Sequence, residues 1–285
     1  MFLKMRKIFQ VYSTWFSTIK QSMYHFKFSD AKLFYDELTW RVQSIDVIQR
    51  QKGYVKYSID KKIFFWPENF QMNELPWIYN EIFVPFEKNP NSFVHPDLDY
   101  SKLEWVIDAG AHEGFFTRLA LDAGVKKVIA VEPLEELIDT LCLTFAGEGI
   151  HVEKAVLGKD ISEINLHVDP GHICEASTFI QEGATESRKV QQITVDHLVK
   201  KYGLSGPGLI KADIEGAEMD CLIGAQITLK HLSPFVAIAV YHSQENAEKC
   251  AKIIESCNQN YKKEFRGMNA HHKPPRPYML FGFPQ

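Results

Sequence analysis

The chain has 285 residues, of which 45% are hydrophobic and 24% charged, with a formal net charge of −4. This is an ordinary globular composition, long enough for one large domain or a domain with a modest extra piece. The acidic balance counts against a protein that grips nucleic acid by bulk charge. The five cysteines, Cys142, Cys174, Cys221, Cys250 and Cys257, include no CxxC pair. Neither a disulfide framework nor structural zinc is expected, and a reducing cytoplasmic setting is.

No run approaches the roughly 20 apolar residues that span a bilayer. The N-terminal stretch MFLKMRKIFQVYSTWFSTIKQ lacks the apolar core and cleavage site of a signal peptide. Its Phe2, Leu3, Ile8, Phe9, Tyr12, Trp15 and Phe16 suit one side of a helix that packs on the body or on a second copy of the chain. Peripheral contact with a membrane is the competing reading. Residues 1–100 are aromatic-rich and irregular and are expected to form a helical and hairpin cap. Within them Gly53 to Trp66 reads as a hairpin around Asp60-Lys61-Lys62. Pro85 to Ser101, with three prolines, reads as a loop.

From residue 101 strand and helix patterns alternate. WVIDA (Trp105 to Ala109) is a short apolar run of the kind buried on both faces of a sheet. Phe115 to Ala123 suits a helix, Lys126 to Glu132 a second strand, and Leu134 to Phe145 a second helix. Ile150 to Leu157 reads as a third strand, Gly208 to Asp213 as a fourth and Phe235 to His242 as a fifth. A helix over Asn246 to Asn258 and a closing strand over Tyr278 to Phe283 complete the series. The alternation predicts a doubly wound, mainly parallel, seven-stranded α/β sheet with helices on both faces. A long insertion, about 158–207, separates the third and fourth strands. Ile164 to Asp169 is expected to add a strand, and the polar stretch Pro170 to Ser187 a functional loop over the sheet ends.

The candidate cofactor site is DAGAHEG, Asp108 to Gly114. In open α/β sheets ligands bind beyond the carboxyl ends of the strands, and glycines there let the backbone approach a ligand. The GxGxxG spacing that cradles a pyrophosphate is absent, and a carboxylate occupies the turn. A phosphate-free, cationic nucleoside such as S-adenosyl-L-methionine suits that chemistry better than a nicotinamide dinucleotide. Glu132, ending the second strand, is placed to accept hydrogen bonds from ribose hydroxyls. Asp108, Gly110, His112, Gly114, Glu132 and Asp213 are the expected cofactor-binding residues. A purely structural role for the two glycines, in the turn and in helix packing, competes with this.

The second constellation is KADIEGAE, Lys211 to Glu218. Lys211 and Asp213 share a face by the period-two rule. Tyr241 and His242 follow the fifth strand. An alcohol acceptor needs alignment, exclusion of water and removal of its proton. His242 is the expected general base, because its ordinary pKa lies near neutrality. Asp213 and Glu215 orient it or act in its place. Tyr241 and Glu215 are expected to face the acceptor. No metal is assigned, since the spacing of Asp213, Glu215 and His242 does not require one. His271, His272, Lys273 and Arg276 form a basic stretch that suits either an acidic acceptor or plain solvation.

These segments resemble the FkbM family of methyltransferases, a branch of the class I Rossmann-like enzymes. WVIDAGAHEGFFTRLALDAG is similar to the family's first motif, followed by VEP at Val131 to Pro133. ITVDHL, Ile193 to Leu198, is similar to its middle motif, and IKADIEGAEMDCLIGA, Ile210 to Ala225, to its signature. The resemblance covers about Val106 to His242. It implies S-adenosylmethionine as cofactor and O-methylation of a hydroxyl on a sugar, glycan or small metabolite. It also implies that EASTF, Glu175 to Phe179, brings Ser177 and Thr178 to the acceptor pocket. Two departures stand out: His112 occupies the asparagine position of the first motif, and LTFAGEG replaces an asparagine after the second strand. A non-catalytic module that keeps the fold and, further off, a nicotinamide-dependent oxidoreductase are the competing functional classes.

Overall fold

A computed structural model describes residues 9–16, 18, 24, 26–37, 40–169, 176–178 and 186–285. Phe2, Leu3, Ile8, Cys174, Glu175, Phe179 and most of the polar loop after Pro170 lie outside the described residues.

Residues 9–16 are helical, and the front third also builds the helix α1 (Phe28–Glu37), a small antiparallel sheet and the helix α2 (Leu75–Phe83). The sheet is β1 (Asp46–Gln51), β2 (Tyr54–Ile59) and β3 (Lys62–Pro67) in that order. The hairpin read from Gly53 to Trp66 corresponds to β2 and β3, whose turn places Asp60 and Lys61 at positive φ. β1 extends it by one further antiparallel strand.

The body follows as β4 (Trp105–Ala109), α3 (Phe115–Asp122), β5 (Lys127–Val131), α4 (Glu135–Thr144) and β6 (His151–Glu153). After β7 (Val156–Leu157), β8 (Ser162–Val168) and β9 (Glu186–Ile193) come α5 (Val195–Tyr202), β10 (Gly208–Ala212), α6 (Glu218–Ile223) and α7 (Gln226–His231). β11 (Phe235–Ala239), α8 (Gln244–Cys257), β12 (Tyr261–Arg266) and β13 (Met279–Pro284) close the chain.

The main sheet has seven strands in the order β12-β13-β11-β10-β4-β5-β6. β11, β10, β4, β5 and β6 are mutually parallel, and β13 runs antiparallel between β11 and β12. Side chains alternate along each strand, and both faces are covered. Val106, Val128, Leu209 and Phe281 point to the face packed by α3, α4 and the cap. Trp105, Ile107, Ile129, Ile210 and Ile238 point to the face packed by α5 to α8. Two covered faces explain why the central strands read as unbroken apolar runs.

Three differences from the sequence reading have physical causes. The expected third strand, Ile150 to Leu157, divides at Lys154. β6 closes the main sheet, whereas β7 pairs with β9 in a separate three-stranded sheet, β7-β9-β8. The fifth strand stops at Ala239, leaving Tyr241 and His242 in the following turn. β12, with the sequence YKKEFR, has only its first residue buried and carries no apolar run that would mark a strand.

The cap docks on the first face through β3. Phe65 N donates to Thr144 Oγ1 of α4, and the Phe64 and Phe115 rings meet edge to face at 4.8 Å. This brings α2 over the carboxyl ends of the central strands.

Candidate active site

At those carboxyl ends the turns latch to one another. Gly110 N and Ala111 N both donate to Val131 O, Asp213 N donates to Ala109 O, and Glu132 N donates to Glu153 O. Gly110 holds φ +71°, and a Cβ there would lie 2.0 Å from Asp213 O. Its glycine therefore answers the approach of the β10 turn as well as the left-handed backbone. A Cβ on Gly114, at φ +85°, would meet Phe145 at 2.6 Å, so that glycine serves helix packing.

Above the turns lies a cavity of about 560 Å³, within the range of small-molecule sites. Gly110, His112, Glu113, Glu132, Asp213, Glu215, Tyr241 and Thr178 line it. The cap contributes Ile78, Glu81 and Ile82 of α2, and the insertion contributes Leu166 and Ala176 as lining. Asp108, Gly114, Ser177 and His242 of the expected set lie behind the lining.

Asp108 is fully buried beneath the floor. Its carboxylate lies 3.0 Å from Lys211 Nζ and accepts from Thr117 Oγ1 at 2.7 Å. Lys211 Nζ also donates to Ala109 O and Gly110 O and sits over the Phe93 and Phe116 rings. Burial works against this ammonium, but the Asp108 charge outweighs it and raises the lysine pKa. Asp108, expected to contact the cofactor, is not among the residues that line the cavity and lies beneath the turn it supports.

Glu132 accepts from His112 N at 3.1 Å through Oε2 and from Leu134 N at 3.0 Å through Oε1. Burial raises its pKa. His112 has a left-handed backbone, its ring contacts the Glu113 carboxylate, and Trp66 of the cap packs against it with centroids 5.2 Å apart.

At the other end the β10 turn is built around Glu218, which is fully buried. Its Oε1 accepts from Ile214 N and Gly216 N, and its Oε2 from Asn246 Nδ2. Glu215 is carried at φ +52°, which turns it toward the cavity side of His242. His242 Nδ1 lies 3.2 Å from Glu218 and Nε2 lies 3.3 Å from Glu215 and 4.0 Å from Asp213. Burial opposes protonation of this imidazole, but the Glu218 and Glu215 carboxylates prevail and hold its pKa well above the ordinary value. A histidine kept as imidazolium, set behind the cavity wall, is a poor proton acceptor. Asp213, by contrast, lines the cavity. Burial pushes the Asp213 pKa up to about 6, partly offset by Lys211. Asp213, Glu215 and His242 also offer ligand atoms within 4.8 Å of one another.

Ser177 is 1% exposed and donates to Glu215 O at 2.8 Å, so it positions the turn rather than facing a ligand. Arg276 donates to Tyr241 O and His242 O at 3.0 and 2.8 Å. His271 packs on Phe34. In this part of the basic stretch, those two residues tie the Tyr241-His242 turn and the cap.

The sequence profile of the methyltransferase FkbM domain matches residues 108–268. The chain belongs to this family. S-adenosylmethionine is the cofactor of FkbM chemistry and methyl transfer its general reaction. The site fits that group on its own evidence: Glu132 stands at one strand end, the Gly110 turn beside it, and no cluster of free cations awaits a phosphate among the lining residues. The FkbM methyltransferase from Methylobacillus flagellatus is 21% identical with a TM-score of 0.46, over 65% of this chain and 48% of that one. The chain thus spans about half the length of that relative. A proposed methyltransferase from Streptococcus mutans, crystallised with SAH, is 14% identical with a TM-score of 0.39, over 66% of this chain and 94% of its own. Fibrillarin from Methanococcus jannaschii, a pre-rRNA processing protein, is 11% identical with a TM-score of 0.40, over 84% and 97% of the two chains. No curated protein matches the sequence.

Sequence reasoning missed the α2 contribution, Ile78, Glu81 and Ile82. The available signal was Glu81, the one acidic residue in the otherwise apolar helix LPWIYNEIF.

Proposed function

We propose that this protein transfers the methyl group of S-adenosylmethionine to a hydroxyl of a sugar, glycan or small metabolite, with Asp213 as general base. One observation carries the reading: a single cavity has Glu132 at one strand end and the Asp213 and Glu215 carboxylates at another. The cofactor, when bound, supplies a strongly electrophilic methyl on a sulfonium. Glu132 and the Gly110 turn hold its nucleoside end, and His112 and Glu113 lie on the same side. Asp213 takes the hydroxyl proton as the acceptor oxygen attacks. Glu215 lies beside it, and His242, anchored by Glu218, lies against both carboxylates. No metal enters this scheme, whose proton acceptor is Asp213. Leu166, Ala176 and Thr178 of the insertion line the cavity without filling it, which favours catalysis over a binding module.

The test pairs binding with turnover. SAH should raise Tm through mass action, and labelled S-adenosylmethionine should yield an O-methyl product identifiable by mass spectrometry and NMR. Asp213→Asn should lower kcat by roughly 10²-fold or more, the scale of general-base catalysis, while SAH still binds. Unchanged kcat in that variant, or no stabilisation by SAH where a control methyltransferase responds, overturns the reading.

A further inference from the structure

Glu81 enters the cavity from outside the part of the chain that matches the family, which begins at residue 108. Glu81 and Ile82 stand three and four positions after Ile78 on α2, so one helix face is turned to the cavity. The helix is held in place at this point. Asn89 Nδ2 donates to Glu81 O at 2.7 Å, Asn80 Nδ2 to Arg41 O at 2.8 Å, and Asn91 Nδ2 to Glu81 Oε1 at 3.1 Å. The remaining polar lining is dominated by carboxylates: Glu113, Glu132, Asp213 and Glu215. Against these stand Lys211, which is engaged by Asp108 and two carbonyls, and His112, which contacts Glu113.

We infer that Glu81 is an acceptor-binding residue, and that the cavity takes an acceptor rich in hydrogen-bond donors and free of negative charge, a neutral or amino sugar. This rests on the methyl-transfer reading above and names its substrate class. With Glu113 and Glu132 on the cofactor side, an anionic acceptor would still meet Glu81, Asp213 and Glu215, and no unengaged lysine or arginine among the described lining residues. A sugar hydroxyl or ammonium meets acceptors on both sides, Glu81 from the cap and Asp213 and Glu215 from the sheet. Burial, and then the charge of Asp213, push the Glu81 pKa up to about 8. Near neutrality its carboxyl therefore both donates and accepts, which matches a hydroxyl, and it ionises readily against an ammonium. The cap thereby sets acceptor choice while the family-matched segment supplies the transfer chemistry.

The experiment uses the full chain with S-adenosylmethionine and a panel of probes at equal concentration. The panel is methyl α-glucoside, methyl α-mannoside, methyl α-rhamnoside, methyl α-glucosaminide and methyl α-glucuronide. Methyl transfer is read by SAH release, and ternary binding by Tm in saturating SAH. At least one neutral or amino glycoside should respond, with the glucuronide well below it. The two arms distinguish a hydroxyl from an ammonium as Glu81's partner. Glu81→Ala should raise KM for the responsive glycoside roughly tenfold or more, the scale of a lost hydrogen bond to a charged or strongly polar group. SAH affinity should be unchanged. Glu81→Gln keeps the shape and the Asn91 contact and should fall between them. Preference for the glucuronide, an unresponsive neutral and amino panel, or an unaltered KM in folded Glu81→Ala overturns the inference. Failure of SAH itself to bind would instead sink the methyl-transfer reading, so the two failures are separable.

Discussion

Lys211 and Asp108 are register partners on the adjacent parallel strands β10 and β4, and their charged groups meet 3.0 Å apart under the cavity floor. The pair joins the two turns that bear the site, because the same ammonium also holds the carbonyls of Ala109 and Gly110. Removing one member strands the other charge in an apolar interior. Asp108→Asn should therefore cost about 3–5 kcal/mol in urea unfolding. The double variant Asp108→Leu with Lys211→Met should recover much of that. If Asp108→Asn is fully stable but loses SAH binding, Asp108 contacts the cofactor directly.

The pH dependence of turnover follows from Asp213. A base works ionised, and its pKa of about 6 in the free protein predicts kcat/KM rising as pH increases through that value. The His242 cation pulls the Asp213 pKa down. Replacing it, as in His242→Asn, should move the acid limb of the profile to higher pH, and Asp213→Asn should abolish the limb. A kcat/KM limb that stays in place in His242→Asn separates the two groups and refutes the coupling.

Much of this was legible in the sequence, and the exceptions share a cause. WVIDA, KKVIAVE and GLIKAD announced strands because each is buried on both faces, and IKADIEGAE announced a site because charges crowd one strand end. Glu81 and Trp66 were not legible as site residues. Their place depends on where the cap docks, which no local pattern records. Position at a strand end and chemical type together point Asp108 and His242 toward a ligand. Which side of a turn a carboxylate or imidazole faces is decided by Lys211 and Glu218, both distant in sequence from at least one partner. The strand over Ile150 to Leu157 was drawn as one because its apolar residues run on, while pairing assigns its halves to different sheets.

Metal removal gives a third check. His242 lies between Glu218 and Glu215, beside Asp213, and the scheme above uses no divalent ion. Dialysis against EDTA should leave kcat and Tm unchanged, and added Mg²⁺ or Mn²⁺ should shift neither. Loss of turnover in EDTA that is restored by one of these ions would replace the imidazolium in this scheme with a metal.

Away from the cavity, Glu37 of α1 is buried against the body, where Tyr278 donates to its Oε2 at 3.2 Å. Burial raises its pKa from 4.5 to about 7. A carboxyl whose folded pKa is raised favours the fold in its protonated form. That contribution is complete below the unfolded value near 4.5 and is lost as pH rises through about 7. Above this the ionised group disfavours folding by up to about 3 kcal/mol, from a shift of roughly two and a half pKa units. Glu37→Gln keeps the size and an acceptor for Tyr278 but cannot ionise. It should therefore raise Tm relative to the parent at pH 8 and leave the two nearly equal at pH 5. Calorimetry at the two pH values decides it: an equal effect at both would mean that Glu37 is not buried as a neutral acid, and that α1 does not seal this edge of the cap.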